Sequence, residues 1–191
     1  MDEVVKAGYN WIELGPYGYL PTNPTILQTE LDKRNVKVSA GFVMGSLEDH
    51  SVWPEIEAQL TGAGELLAEL GAQYLVLIDG TYSDLFTGEQ IEIKRLDDDN
   101  WRRLIDATHR VADMIDGLYD MKLVFHPHAE THVEYEDQVE RFLSDTDPDR
   151  VSLCFDVGHH AYRDGDPVAF MRKHHARIPY LHLKSVEPTL Q

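Results

Sequence analysis

Short apolar runs along the chain alternate with longer polar segments in which apolar residues return every three or four positions. Six runs read as strands: Asn10–Leu14, Lys37–Phe42, Tyr74–Asp79, Lys122–His126, Val151–Asp156 and Tyr180–Lys184. They are almost continuously apolar, as expected of a parallel sheet covered by helices. Helices are predicted between them. Asn23 followed by Pro24 predicts an N-cap and first residue of a helix reaching about Arg34. A second runs from about Pro54 to Leu70 and stops at Gly71. A third follows Asp97, Asp98 and Asp99, whose charges suit a helix N-terminus. Its inward positions are Trp101, Leu104, Ile105, Val111 and Ile115. A fourth covers about Tyr135–Leu143, a fifth starts near Asp166 and Pro167, and a helix-like segment, Asp2–Gly8, opens the chain. No linker or low-complexity stretch interrupts the pattern, so residues 1–191 read as one domain.

Strands alternating with helices imply parallel βαβ units. An open doubly wound sheet and a closed barrel both satisfy the pattern. No G-x-G-x-x-G follows a strand, which weakens the dinucleotide-binding version. Polar residues stand at the C-terminal end of nearly every strand: Glu13, Asp79, His126, His128, Asp156, His159, His182 and Lys184. A barrel gathers all those ends at one mouth.

Composition narrows the function classes. The 191 residues suffice for one sizeable core. The formal net charge of −17 disfavours nucleic-acid and anionic-membrane partners. Apolar stretches such as Tyr74–Ile78 are too short to cross a bilayer, and no basic segment followed by an apolar one opens the chain. The single cysteine, Cys154, sits among apolar neighbours and is expected in a buried strand. A cytoplasmic location is the expectation.

Three local constellations carry candidate chemistry. In Phe125-His126-Pro127-His128, two histidines two apart on a strand share a face. They suit metal or substrate contact, or hydrogen bonding to a loop. In Asp156-Val157-Gly158-His159, the carboxylate suits either a cation or the N-cap of a following helix. In Tyr180-Leu181-His182-Leu183-Lys184, His182 and Lys184 share one strand face, which needs partners if buried. Glu13 ends the first strand, before an aromatic turn-rich loop, Pro16–Pro21, that is either the wall of a site or a rigid turn. Glu134 suits either catalysis or the first turn of a helix. No G-x-S-x-G, H-E-x-x-H, C-x-x-C or Walker-type loop is present.

Taken in order, Glu13–Pro21, His126-Pro127-His128 with Thr131-His132-Val133-Glu134, Asp156-Val157-Gly158-His159 and His182-Leu183-Lys184 resemble the sugar phosphate isomerase/epimerase family. This is the xylose isomerase-like TIM-barrel superfamily, and the likeness is greatest to its inosose dehydratase-like branch. The resemblance implies a (β/α)8 barrel and one divalent metal ion: manganese, cobalt, magnesium or zinc. It implies a small-molecule sugar or polyol substrate, handled by isomerisation, epimerisation or dehydration through an enediolate. Carried over, Asp156 and His182 match an Asp and a His metal ligand, and His159 matches a substrate-touching histidine. The family's first Glu ligand falls on His126, so His126 replaces it, or Glu134 or His128 takes its part. The candidate set is therefore His126, Asp156 and His182 for metal, and His128, His159, Lys184 and Tyr19 for substrate. Glu13, Glu134, His159 and Lys184 are the candidates for catalysis. The family's first and last strands have no match in the chain. Open edges then imply pairing, for example as a homo-oligomer, or reduced stability and activity. Two other readings are an endonuclease IV-like hydrolase, which the negative charge opposes, and a degenerate barrel fragment that binds without turnover.

Overall fold

Local signals set most helix boundaries. In the computed structural model, which describes residues 1–187, α1 spans Asp2–Lys6 and β1 Trp11–Glu13. Helix α2 (Pro24–Asp32) starts where the Asn23 side chain accepts from the Ile26 amide at 3.0 Å. Strand β2 (Lys37–Gly45) runs past its predicted end at Phe42, and α3 (Trp53–Glu69) follows a single 3-10 turn at His50–Val52. Gly71, at φ +69°, supplies the left-handed turn between α3 and β3 (Tyr74–Asp79). Asp97 caps α4 (Asp98–Tyr119) through the Asn100 amide at 2.8 Å. Then come β4 (Lys122–Phe125), α5 (Glu136–Asp145), β5 (Val151–Asp156), α6 (Val157–Tyr162), α7 (Pro167–His174), a 3-10 turn at His175–Arg177, and β6 (Tyr180–His182).

All six strands pair in parallel in chain order, β1-β2-β3-β4-β5-β6. Strand alternation sorts the apolar residues into two layers. Leu75, Leu77, Leu123, Phe125, Leu153 and Phe155 pack outward against the helices, in one large cluster with Leu60, Leu104, Val111 and Phe142. Phe125 stacks on Phe142 with ring centroids 4.1 Å apart. Burying one such ring contributes roughly 1.5–3 kcal/mol. Ala40, Val76, Ile78, Val124 and Cys154 form a second cluster on the opposite, concave face.

The sheet curls until its far strands meet across that concave face. Tyr180 on β6 shares a 2.8 Å hydrogen bond with Ser39 on β2, and its ring lies 5.4 Å from that of Tyr74. His182 at the end of β6 reaches Glu13 at the end of β1. The result is a curled, incomplete barrel with β1 and β6 as its edges. The outer side of β6 lacks the cover that β3 to β5 receive, and Leu181 and Leu183 are exposed. No helix among the described residues is long and apolar enough to cross a membrane.

Candidate functional site

The curl brings the inward-facing residues at the strand ends to one mouth, and Asp156 is their hub. Its Oδ1 accepts from the Gly158 and His159 amides at 2.8 and 3.0 Å, capping α6. Its Oδ2 faces the mouth, 3.9 Å from His126 Nε2, 3.8 Å from His159 Nε2 and 3.7 Å from His182 Nδ1. Lys184 Nζ donates to the same oxygen and lies 3.1 Å from His159 Nε2. The two roles open to Asp156 in the sequence are thus divided between its two oxygens. Gly158 is required for this approach, because a Cβ there would stand 2.5 Å from Lys184 Cβ.

Neighbouring groups fix the rings. His182 Nε2 donates to Glu13 Oε2 at 2.9 Å, leaving Nδ1 toward Asp156. His128 Nδ1 donates to the Ala129 carbonyl at 2.6 Å, and the Ala129 amide donates to His159 Nδ1 at 3.3 Å. Both ring nitrogens of His159 thus face donors, the Ala129 amide at Nδ1 and the Lys184 ammonium at Nε2. The His128 and His159 rings lie 3.9 Å apart. His126 is almost fully buried, and its Nδ1 has no partner.

Burial and neighbouring imidazoles push His126 down to about 2. Burial and His128 bring His159 down to about 4. Both rings are neutral near pH 7, the form that ligates or donates a single N–H. His182 is pushed up to about 11 by its Asp156, Cys154 and Glu13 neighbours. Burial alone would raise Asp156, but hydrogen bonds from His182 and Lys184 hold it below the usual carboxylate range. Three donor atoms lie within 4.8 Å of one another in His126, His128 and His159, and again in His126, Cys154 and His182, and such imidazole-rich groups with one orphaned buried nitrogen fit a divalent cation.

Two sequence candidates belong elsewhere. The Glu134 side chain is buried, and both its oxygens are engaged: Oε1 by Tyr82 OH at 2.5 Å, Oε2 by the Glu130 amide at 2.9 Å and Arg163 Nε at 2.5 Å. Arg163 also bonds Glu130, whose other oxygen takes the Ser83 hydroxyl. This clasp fixes the 128–134 loop against α6. Tyr19 is 79% exposed and lays its ring beside Gly15. The sequence does not single out Arg163, Tyr82 or Glu48, and Glu48 forms a buried group with Asp79 and His132. In that group Asp79 Oδ2 accepts from His132 Nδ1 at 2.9 Å, and burial and Asp79 push Glu48 up to about 7. Asp79 at the end of β3 and His132 in the Thr131–Glu134 segment were its signals.

Similarity to known proteins agrees with the geometry. The inosose dehydratase of Geobacillus kaustophilus (strain HTA426) is 31% identical over 190 residues, covering 97% of this chain and 61% of that protein. The rhizopine catabolism protein MocC of Rhizobium meliloti is 34% identical over 197 residues, covering 97% of this chain and 56% of the relative. The chain thus spans about three fifths of the length of such relatives. Among solved structures, 3-keto-D-glucoside 4-epimerase YcjR from E. coli superposes with a TM-score of 0.79 at 14% identity, over 96% of this chain and 72% of that one. The IOLI protein with a bound zinc atom does so at 0.77 and 19% identity, over 97% and 66%. The family model described as xylose isomerase-like TIM barrel matches residues 1–191, and the chain belongs to that family.

Proposed function

We propose that this chain carries the metal-centred site of an enzyme acting on a ketone of a sugar or cyclic polyol, with dehydration of an inosose-like substrate as the leading reaction. The observation that carries the proposal is the convergence of His126, His159, His182 and Lys184 on a single oxygen of Asp156. Relatives named inosose dehydratase support the substrate class.

Asp156 Oδ2, His126 and His182 Nδ1 would hold the cation, with Glu13 orienting His182 through its other ring nitrogen, as carboxylates commonly do for metal-binding histidines. A divalent cation supplies Lewis-acid stabilisation of negative charge on adjacent substrate oxygens. His159, neutral and with Nε2 toward the mouth, contacts the substrate oxygens. Lys184 adds positive charge beside it. Glu13 is the carboxylate bordering the cluster and takes the proton alpha to the carbonyl. Electrons from that C–H bond move to the carbonyl oxygen, giving the enediolate. Their return expels a β-hydroxyl, which leaves as water with a proton from the site. Reprotonation at another carbon would give isomerisation or epimerisation instead. Glu134 is assigned to holding the His128–Glu134 loop rather than to proton transfer.

Bound metal and turnover of inosose and common ketoses should be measured for the chain and for Asp156→Ala and His182→Ala. Both variants are expected to lose metal and turnover. Full retention of both properties in both variants would overturn the proposal.

A further inference from the structure

Cys154 lies one rung below the hub of the proposed site. In the β4–β5 register Phe125 stands beside Leu153, so the next inward pair is His126 and Cys154. In the β5–β6 register Asp156 stands beside His182. Strand alternation turns Cys154 and Asp156 to the same face. Cys154 is completely buried in the concave cluster, with Val124 on one neighbouring strand and Tyr180 on the other.

Two observations distinguish this cysteine from packing. One ring nitrogen of His126, the Cys154 sulfur and one ring nitrogen of His182 lie within 4.8 Å of one another. His126, 3% exposed, contributes a ring nitrogen to this group, and its Nδ1 is without a hydrogen bond. A buried imidazole nitrogen without a hydrogen bond is costly, and a cation among these atoms would satisfy it. Asp156 Oδ2, 3.7 Å from His182 Nδ1, borders the group on its mouth side.

We infer that Cys154 is a ligand of the metal at this site, joining His126, His182 and Asp156 in a sulfur-containing set that selects zinc or cobalt over magnesium and manganese. The inference rests on the metal-site reading above and adds its chemical preference. On binding, the Cys154 S–H bond breaks and the sulfur donates the electron pair it keeps to the cation, His182 gives up its Nδ1 proton and donates that lone pair, and both protons leave to solvent. Thiolate favours softer cations, whereas carboxylate and water alone suit magnesium and manganese. The site sits where the chain can close a compact four-donor shell below the mouth, leaving His159 and Lys184 above it for substrate.

The test is a cobalt(II) titration of the metal-free chain under anaerobic conditions, followed by absorption. Expected are visible ligand-field bands together with a near-ultraviolet sulfur-to-cobalt charge-transfer band, both saturating at one equivalent. Cys154 is the only cysteine in the chain, so the wild-type spectrum decides the question even if a variant fails to fold. Cys154→Ser should lose the charge-transfer band and weaken zinc and cobalt binding by more than the roughly tenfold that loss of an outer partner costs. Its magnesium affinity should be unchanged. Ligand-field bands without a sulfur band in the wild type would overturn the cysteine ligation and leave the metal site standing. A sulfur-like band that persists in Cys154→Ser would overturn it as well. Absence of any cobalt binding would overturn the metal-site reading and this inference together.

Discussion

Replacing Arg163 by methionine should be among the most damaging single changes outside the mouth. Its guanidinium is the cationic partner of Glu134, whose side chain is completely buried. The same group bonds Glu130, and its Nη2 lies 3.3 Å from Tyr82 OH. Methionine fills much of the volume and removes the charge. Glu134 then keeps only the Tyr82 hydroxyl and the Glu130 amide, and its negative charge stays buried without a counterion. Breaking a buried ion pair in this way costs about 3–5 kcal/mol. That is a large share of the roughly 5–15 kcal/mol that holds a typical domain together. For a chain of this size it lowers Tm by on the order of 10 °C. Urea unfolding of the wild type, Arg163→Met, Glu134→Gln and the double variant would measure it. Neutralising Glu134 in the double variant should recover most of the loss, because the penalty is the stranded charge. If Arg163→Met costs less than about 1 kcal/mol, or the double variant is no better than the single, the clasp is not a buried ion pair in energetic terms.

Gly158→Ala should leave α6 intact, since alanine is the better helix former by roughly 0.5–1 kcal/mol, while the new Cβ forces Lys184 away from Asp156. Displacement by about 1 Å should cut kcat/KM by on the order of a hundredfold with little change in Tm. Glu48 is pushed up to about 7 from 4.5, so the folded chain binds its proton more tightly than the unfolded one. Its stabilising contribution is full below about pH 4.5 and declines as pH rises to about 7, by on the order of 2 kcal/mol. Glu48→Gln should therefore flatten that fall in urea titrations at successive pH values; an unchanged slope would refute it. Zinc at a hundred times its Kd should add about 2.7 kcal/mol to stability, an increment that a chelator reverses and that Asp156→Asn lacks.

The strand–helix alternation was legible because its signals are local. Asn23-Pro24, the aspartates around Asp97 and Gly71 act through caps and turns that need no distant partner. The lining of the mouth was legible for a similar reason, since residues two apart on a strand share a face. His182 and Lys184 both reach Asp156, although the predicted strand to Lys184 ends at His182. Contacts that depend on chain reversal were not. Glu130 adopts φ +68° and Thr131 bonds back to the His128 carbonyl, so the chain turns and Glu134 meets Arg163. Nearness to His126 in sequence made Glu134 look like part of the same constellation. Helix α6 was legible only as one of the two roles open to Asp156, because Val157–Tyr162 has no apolar stripe; it forms under the Asp156 cap and the packing of His160 on Phe155 and Phe170.

Among the described residues β1 and β6 each pair on one side only, which makes this stretch of chain sensitive to its ionic surroundings. A strand paired on one side only is the geometry by which sheets propagate from one molecule to the next, though both edges here are only three residues long. Opposing that tendency is the −17 charge, which pushes copies apart. Salt shortens the reach of that repulsion to about 8 Å at physiological strength and about 3 Å at 1 M. Raising ionic strength should therefore drive the chain toward edge-joined assemblies, and dilution into low salt should disperse them.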